Sequence, residues 1–152
     1  MTTQNCLAKE GKYLTFTLGS EDYGLEILKV REIIRMMNIT AVPQVPAYVK
    51  GVINLRGKVI PVIDLRLKFQ MPALETSAET CIIIINIKDA LIGIIIDKVK
   101  EVLNISQENI EMVPNFGSNV HTDYILGIGK INNSIKVLLN IDKVLDEDLE
   151  LK

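Results

Sequence analysis

The 152 residues are 48% apolar and 24% charged, enough to build one ordinary core and too apolar for a solvated, disordered chain. Net charge is −2, from 17 basic and 19 acidic residues spread without a basic stripe, which argues against a phosphate-binding surface and so against nucleic acid. Cys6 and Cys81 stand far apart without a CxxC or histidine pattern, so neither a metal site nor a secreted disulfide framework is expected, and the cytoplasm is.

Taken in chain order, Met1 to Glu10 lacks an apolar run of signal-peptide length. Leu14-Thr15-Phe16-Thr17-Leu18 alternates apolar and polar residues, the pattern of a half-buried strand. Gly19-Ser20-Glu21-Asp22 supplies turn chemistry, and Tyr23 to Ile27 forms the returning arm. Asn54-Leu55-Arg56-Gly57 turns the strand ending near Ile53 into Lys58 to Ile63; Pro61, lacking a donor, is expected at a bulge or an unpaired edge. Asp64 is placed to cap a short helix through Phe69. Met71 to Thr80, rich in proline, alanine, serine and acid, interrupts the strand pattern and is where two halves are expected to meet. Cys81 to Ile87 and Leu91 to Ile96 are β-branched runs around Lys88-Asp89-Ala90, a second hairpin. Asn86, Lys88 and Asp89 break this most hydrophobic region, so it does not span a membrane. Asn132-Asn133-Ser134 makes a further turn, and Asp142 is expected to cap a helix running to Leu149. The sequons at Asn38, Asn104 and Asn132 are chance matches in a chain without a secretory signal.

The two halves repeat. Gly24 to Ile34 matches Gly93 to Leu103 at an offset of 69, and Ile39 to Pro43 matches Ile110 to Pro114 at 71. Tyr48 to Val52 matches Tyr124 to Ile128 at 76, and Lys58 to Asp64 is aligned with Lys136 to Asp142 at 78. Ordered blocks whose drift falls in loops indicate duplication of a compact module of about five short strands. The expected class is therefore all-β: two five-stranded SH3-like β-barrels with short peripheral helices, since closing a small sheet removes exposed edges.

Catalytic motifs are not found. His121 is the only histidine, and its neighbours Ser118, Thr122 and Asp123 do not by adjacency form a nucleophile and base. Gly127-Ile128-Gly129-Lys130 lacks the spacing of a phosphate-binding loop. Asp146-Glu147-Asp148-Leu149-Glu150 reads as a solvated acidic face rather than a ligand set, because consecutive residues point different ways. Alternatives to a contact protein are a small hydrolase using His121, or a barrel holding an apolar ligand; five-stranded barrels usually fill themselves with side chains.

These blocks resemble the CheW family of chemotaxis coupling proteins. The resemblance runs from Phe16-Thr-Leu-Gly-Ser-Glu-Asp-Tyr-Gly-Leu-Glu-Ile-Leu-Lys-Val to Val137-Leu-Leu-Asn-Ile-Asp-Lys-Val-Leu. Its most specific part is Gly51-Val-Ile-Asn-Leu-Arg-Gly-Lys-Val-Ile-Pro-Val-Ile-Asp-Leu-Arg66. It implies a single CheW-like domain over 1–152, with a first barrel at roughly 11–70, a second at roughly 80–141, and terminal segments packing across. It also implies an adaptor without chemistry, cofactor or metal. The adaptor joins the cytoplasmic hairpin tip of chemoreceptors to the regulatory domain of the histidine kinase CheA, in the cytoplasm at the receptor array.

By the same resemblance the receptor groove involves Val30, Glu32, Arg56 and Val102, with Arg56 foremost. A guanidinium at a turn can direct charge-assisted hydrogen bonds to a helix. Kinase contact falls on Ile39, Thr40, Val42 and Tyr48, and a second, ring-closing kinase contact on Glu111, Asn115 and Phe116. Glu111 departs from the basic residue that family members can carry there, which changes the electrostatic match asked of a partner. The receiver domain of CheV and the kinase segments of CheA are not seen, so a standalone coupling protein is expected.

Overall fold

The computed structural model describes residues 9–112, 122–146 and 148. Its first hairpin pairs β1 (Gly11–Leu18) with β2 (Glu21–Glu26), and β3 (Val30–Arg35) follows. The motif strands β4 (Val49–Leu55) and β5 (Lys58–Asp64) lead into α1 (Leu65–Lys68). After a loop come β6 (Cys81–Ile87), β7 (Ala90–Ile96), β8 (Lys98–Ile105) and the short β9 (Ile110–Glu111). A last hairpin, β10 (Ile125–Ile131) and β11 (Ser134–Leu139), precedes α2 (Ile141–Val144).

Three hairpins close on two-residue turns with both residues at positive φ: Arg56-Gly57, Lys88-Asp89 and Asn132-Asn133. This backbone suits the right-handed twist of the flanking strands. The first hairpin turns at Gly19-Ser20, so Glu21 and Asp22, expected in the turn, already belong to β2. Ile82 to Ile85 are all fully buried. Cover on both faces of β6 explains why this segment does not alternate.

The strands form two sheets, in the orders β8-β1-β2-β11-β10-β9 and β3-β6-β7-β5-β4. The all-β class and the duplicated, SH3-like strand plan hold, as sheets of six and five strands rather than as closed rings. One unit comprises residues 9–27 with the described part of 100–148; the other is the contiguous stretch 28–99. The expected barrels at 11–70 and 80–141 follow the order of the sequence, whereas the strands of the two units interleave across that order. Hairpin β1–β2 joins the strands of the second half, and β6–β7 joins those of the first. Met71 to Thr80 lies inside a unit, not between halves.

The physical reason lies in the two repeat glycines. Parallel pairing sets Gly24 against Leu138 and Gly93 against Val62. A Cβ on Gly24 would lie 2.9 Å from Leu138 Cδ2, and one on Gly93 2.8 Å from Ile82 Cγ2 and 3.6 Å from Val62 Cγ2. Gly24 thus fits β2 closely against a strand of the other half, while Gly93 makes room chiefly for Ile82 of its own hairpin and meets the other half at ordinary contact distance, which a comparison of sequence blocks does not reveal.

Two local expectations also change. Pro61 sits in an interior strand opposite Val52. Val52 spends both its backbone N–H and its carbonyl on Thr40, at 2.9 and 2.8 Å, so the Val52/Pro61 pair is a non-hydrogen-bonded one and the missing donor costs nothing toward β4. Asp64 does cap α1, accepting from the Leu67 N–H at 3.3 Å. The cap of α2 is Asn140, accepting from Lys143 N–H, while Asp142 lies within the first turn. The bulges at Gly51 and Gly127, the two turns and the two caps all correspond at an offset of 76. The last block therefore corresponds at 76 rather than the expected 78.

Candidate functional site

The tip of β4–β5 is built by its own turn. Asn54 Oδ1 accepts from the Gly57 N–H at 2.9 Å, bracing the two residues at positive φ. Arg56, in the first of them, donates through Nη2 to the Glu32 carboxylate. Glu32 arrives from β3 just after a register shift between Val30 and Glu32. Such a bulge re-aims the side chains around it. The guanidinium remains 68% exposed and the carboxylate 32%. The pair orients Arg56 while leaving further N–H donors toward solvent.

The structure therefore brings Glu32 and Arg56 together, with Val30 half-buried on the same strand as Glu32. Val102 lies on β8 in the other unit and is 49% exposed.

Of the residues expected to meet the kinase, Thr40 lies on the outer edge of β4. Thr40 forms a one-residue bridge to Val52, a stub of a sixth strand. Ile39 packs against the cluster of Ile53, Ile60, Val62, Ile82 and Ile84, and so is partly core. Val42 is exposed, and Tyr48 is half-buried with Lys68 Nζ 4.2 Å above its ring centre. No sequence pattern announces that cation–π contact or the near-complete burial of Lys68. A lysine at the end of a short amphipathic helix reads as a surface charge. Arg66, closing the motif, also has a structural task. Its Nε reaches both Asp97 oxygens at 2.9 and 3.1 Å, and Nη1 donates to the Pro72 carbonyl at 2.7 Å. The Asp97 contact holds the guanidinium above its already high range.

In the other unit, Glu111 on β9 pairs with Lys130 on β10, both more than half exposed, so its charge is compensated within the chain. Asn115 and Phe116 lie outside the described residues, as does His121. The tip corresponding to Arg56-Gly57 is Asn132-Asn133. It borders an open depression of about 530 Å³ lined by Asn109, Lys130, Ser134 and Ile135 besides the two amides. The duplicated tips have diverged: one carries a guanidinium, the other carries neutral amides.

Among the described residues no three His, Cys, Asp or Glu side chains gather as a metal site, and no helix is long and apolar enough to cross a membrane. The isoleucine-rich interior is filled by its own side chains, and the reading as an apolar-ligand barrel is not supported.

A family model described as the CheW-like domain matches residues 12–149. The chain is 37% identical over 137 residues to the chemotaxis protein CheW of Klebsiella aerogenes, covering 90% of this chain and 82% of that one. The chemotaxis protein CheW of Bacillus subtilis is 36% identical, with 90% and 88% covered. The crystal structure of the scaffolding protein TtCheW from Thermoanaerobacter tengcongensis matches with a TM-score of 0.82 at 34% identity, over 90% of this chain and 93% of that chain. With sequence and fold in agreement over nearly the whole length, the chain belongs to the CheW family and is a chemotaxis coupling adaptor rather than an enzyme.

Proposed function

We propose that this adaptor works in the cytoplasm at the chemoreceptor array, holding the cytoplasmic hairpin tip of receptors on one surface and the regulatory domain of the histidine kinase CheA on another. The observation that carries the receptor half is the exposed Arg56 guanidinium, braced by Glu32 at a rigid turn. A pre-oriented fork of donors can bind carboxylate or amide groups of a helix with little further loss of freedom. Val30 and Val102 complete the receptor set with apolar cover. Ile39, Thr40, Val42 and Tyr48 form the kinase surface, whose support is an apolar strand edge ending in a single bridge. An edge of that kind suits contact with another β domain.

A second kinase contact, closing rings of the array, falls on Glu111, Asn115 and Phe116. The compensation of Glu111 by Lys130 favours a neutral or apolar facing surface there.

Titrating the chain with a receptor hairpin fragment and, separately, with the kinase regulatory domain tests the proposal. Saturable binding of both at tens of micromolar or below is expected, since transient signalling contacts remain detectable there. Binding of neither would remove the proposal.

A further inference from the structure

The six-stranded unit holds an ionic cluster for which its duplicate has no counterpart. Lys136 on β11 is 6% exposed at its side chain, and its Nζ lies 2.6 Å from Asp22 Oδ2 on β2 and 3.2 Å from Ser134 Oγ. Lys100 on β8 reaches the same Asp22 oxygen at 3.2 Å. Three strands thus converge on one carboxylate. The parallel pairing it anchors is short: Asp22 to Gly24 against Lys136 to Leu138.

The repeat supplies an internal control. At the offsets of 69 and 76, Asp22 and Lys136 correspond to Leu91 and Ile60. Ile60 is buried in the apolar cluster of the five-stranded sheet, and Leu91 packs against that cluster. One unit closes its hairpin with an apolar pair and the other with charges. Replacing a buried ion pair by packed apolar side chains is often neutral or stabilising, whereas removing one partner leaves an uncompensated charge. The ionic version adds to the apolar burial of Phe16, Leu18 and Leu25 a contribution that depends on a single carboxylate.

We propose that Asp22, Lys136 and Lys100 form an electrostatic clasp that holds the β1–β2 hairpin in its sheet, so that this hairpin can be released by a local opening that leaves the sheet bearing Arg56 intact. Lys98 and Val99 already belong to β8, which pairs with β1, but every ladder of the five-stranded sheet lies within residues 30–96. Opening at Asp22 therefore breaks no ladder there.

Hydrogen–deuterium exchange on the full chain tests the clasp, with Asp22→Asn and the double variant Asp22→Leu/Lys136→Ile, which copies the sister unit. Asp22→Asn is expected to speed exchange in 11–26 and 134–139 by at least ~10-fold, as loss of one member of a buried pair should. Residues 49–64 and 81–96 should exchange at the parental rate, and the double variant should regain protection. Parental exchange in 11–26, equal acceleration across 28–99, or a double variant as open as Asp22→Asn would each overturn the clasp. If Asp22→Asn does not accumulate, the double variant decides alone: native-like protection supports the clasp and its loss defeats it.

Discussion

Gly51 holds the outer edge of β4 together by what it lacks. Its φ is +139, and a Cβ there would fall 2.0 Å from the Thr40 carbonyl oxygen and 2.7 Å from the carbonyl carbon, both backbone atoms that cannot rotate aside. Gly51→Ala must therefore displace Thr40, breaking the hydrogen bonds of 2.8 and 2.9 Å that join Thr40 to Val52. Two such bonds contribute roughly 1–3 kcal/mol net, and forcing a side chain into sparsely allowed backbone adds about 1–3 kcal/mol. The expected destabilisation is thus about 2–6 kcal/mol. Gly57→Ala is the matched control: φ is +91, yet nothing lies within 4 Å of the added carbon, so only backbone strain of about 1–2 kcal/mol applies. Urea denaturation gives the two free energies, and amide exchange at Thr40 and Val52 reports the bridge directly. Loss of protection there, with weaker kinase-domain binding, is expected for Gly51→Ala alone. Equal destabilisation by the two alanines, with Thr40 and Val52 still protected, would refute the reasoning.

Arg56→Ala should weaken receptor-fragment binding about 10-fold or more while shifting stability by less than ~1 kcal/mol, because an exposed ion pair contributes little; a matching loss of kinase-domain binding would point to misfolding instead. Ile84→Ala, at a fully buried position, should cost about 2–5 kcal/mol, and Val59→Ala, at one that is 71% exposed, less than ~0.5 kcal/mol, both read from urea midpoints. Stability should fall in acid through Asp22. Desolvation raises its pKa, but the hydrogen bonds and charges of Lys136 and Lys100 outweigh this and hold it below the usual carboxylate value. A depressed folded-state pKa contributes stability above the unfolded value near ~3.9 that is lost as pH falls through the folded one. Thermal midpoints at neutral and acid pH should therefore drop less in Asp22→Leu/Lys136→Ile than in the parent, and identical drops would reject the assignment.

Much of this fold is written in local pattern. The isoleucine run of β6 and β7 and the alternation of β1 follow from χ1 restriction and from the two-residue period, and both segments pair as expected. Asp22, an acid next to Gly-Ser, reads locally as turn chemistry; its partner Lys136 lies 114 residues away, beyond any local window. Asp142 resembles Asp64 more than Asn140 does and so reads as a helix cap, although the cap requires only a side-chain oxygen at the right offset. At the candidate site, the motif marks Arg56 as a turn residue, and it occupies the β4–β5 turn. Its bond to Glu32 depends on a bulge in β3 that no period announces, and the burial of Lys68 over Tyr48 depends on where a one-turn helix comes to rest.

The interleaved strand order also sets a timetable for synthesis. Residues 28–99 contain every strand of the five-stranded sheet, so that sheet can assemble while the nascent chain is still being extended. Hairpin β1–β2, translated earlier, has to wait for a partner strand whose Lys136 follows Asp22 by 114 residues. At ~5–20 residues per second the delay is roughly ten seconds. During it Phe16, Leu18 and Leu25 lack their final cover, and chaperones have most reason to engage the polypeptide.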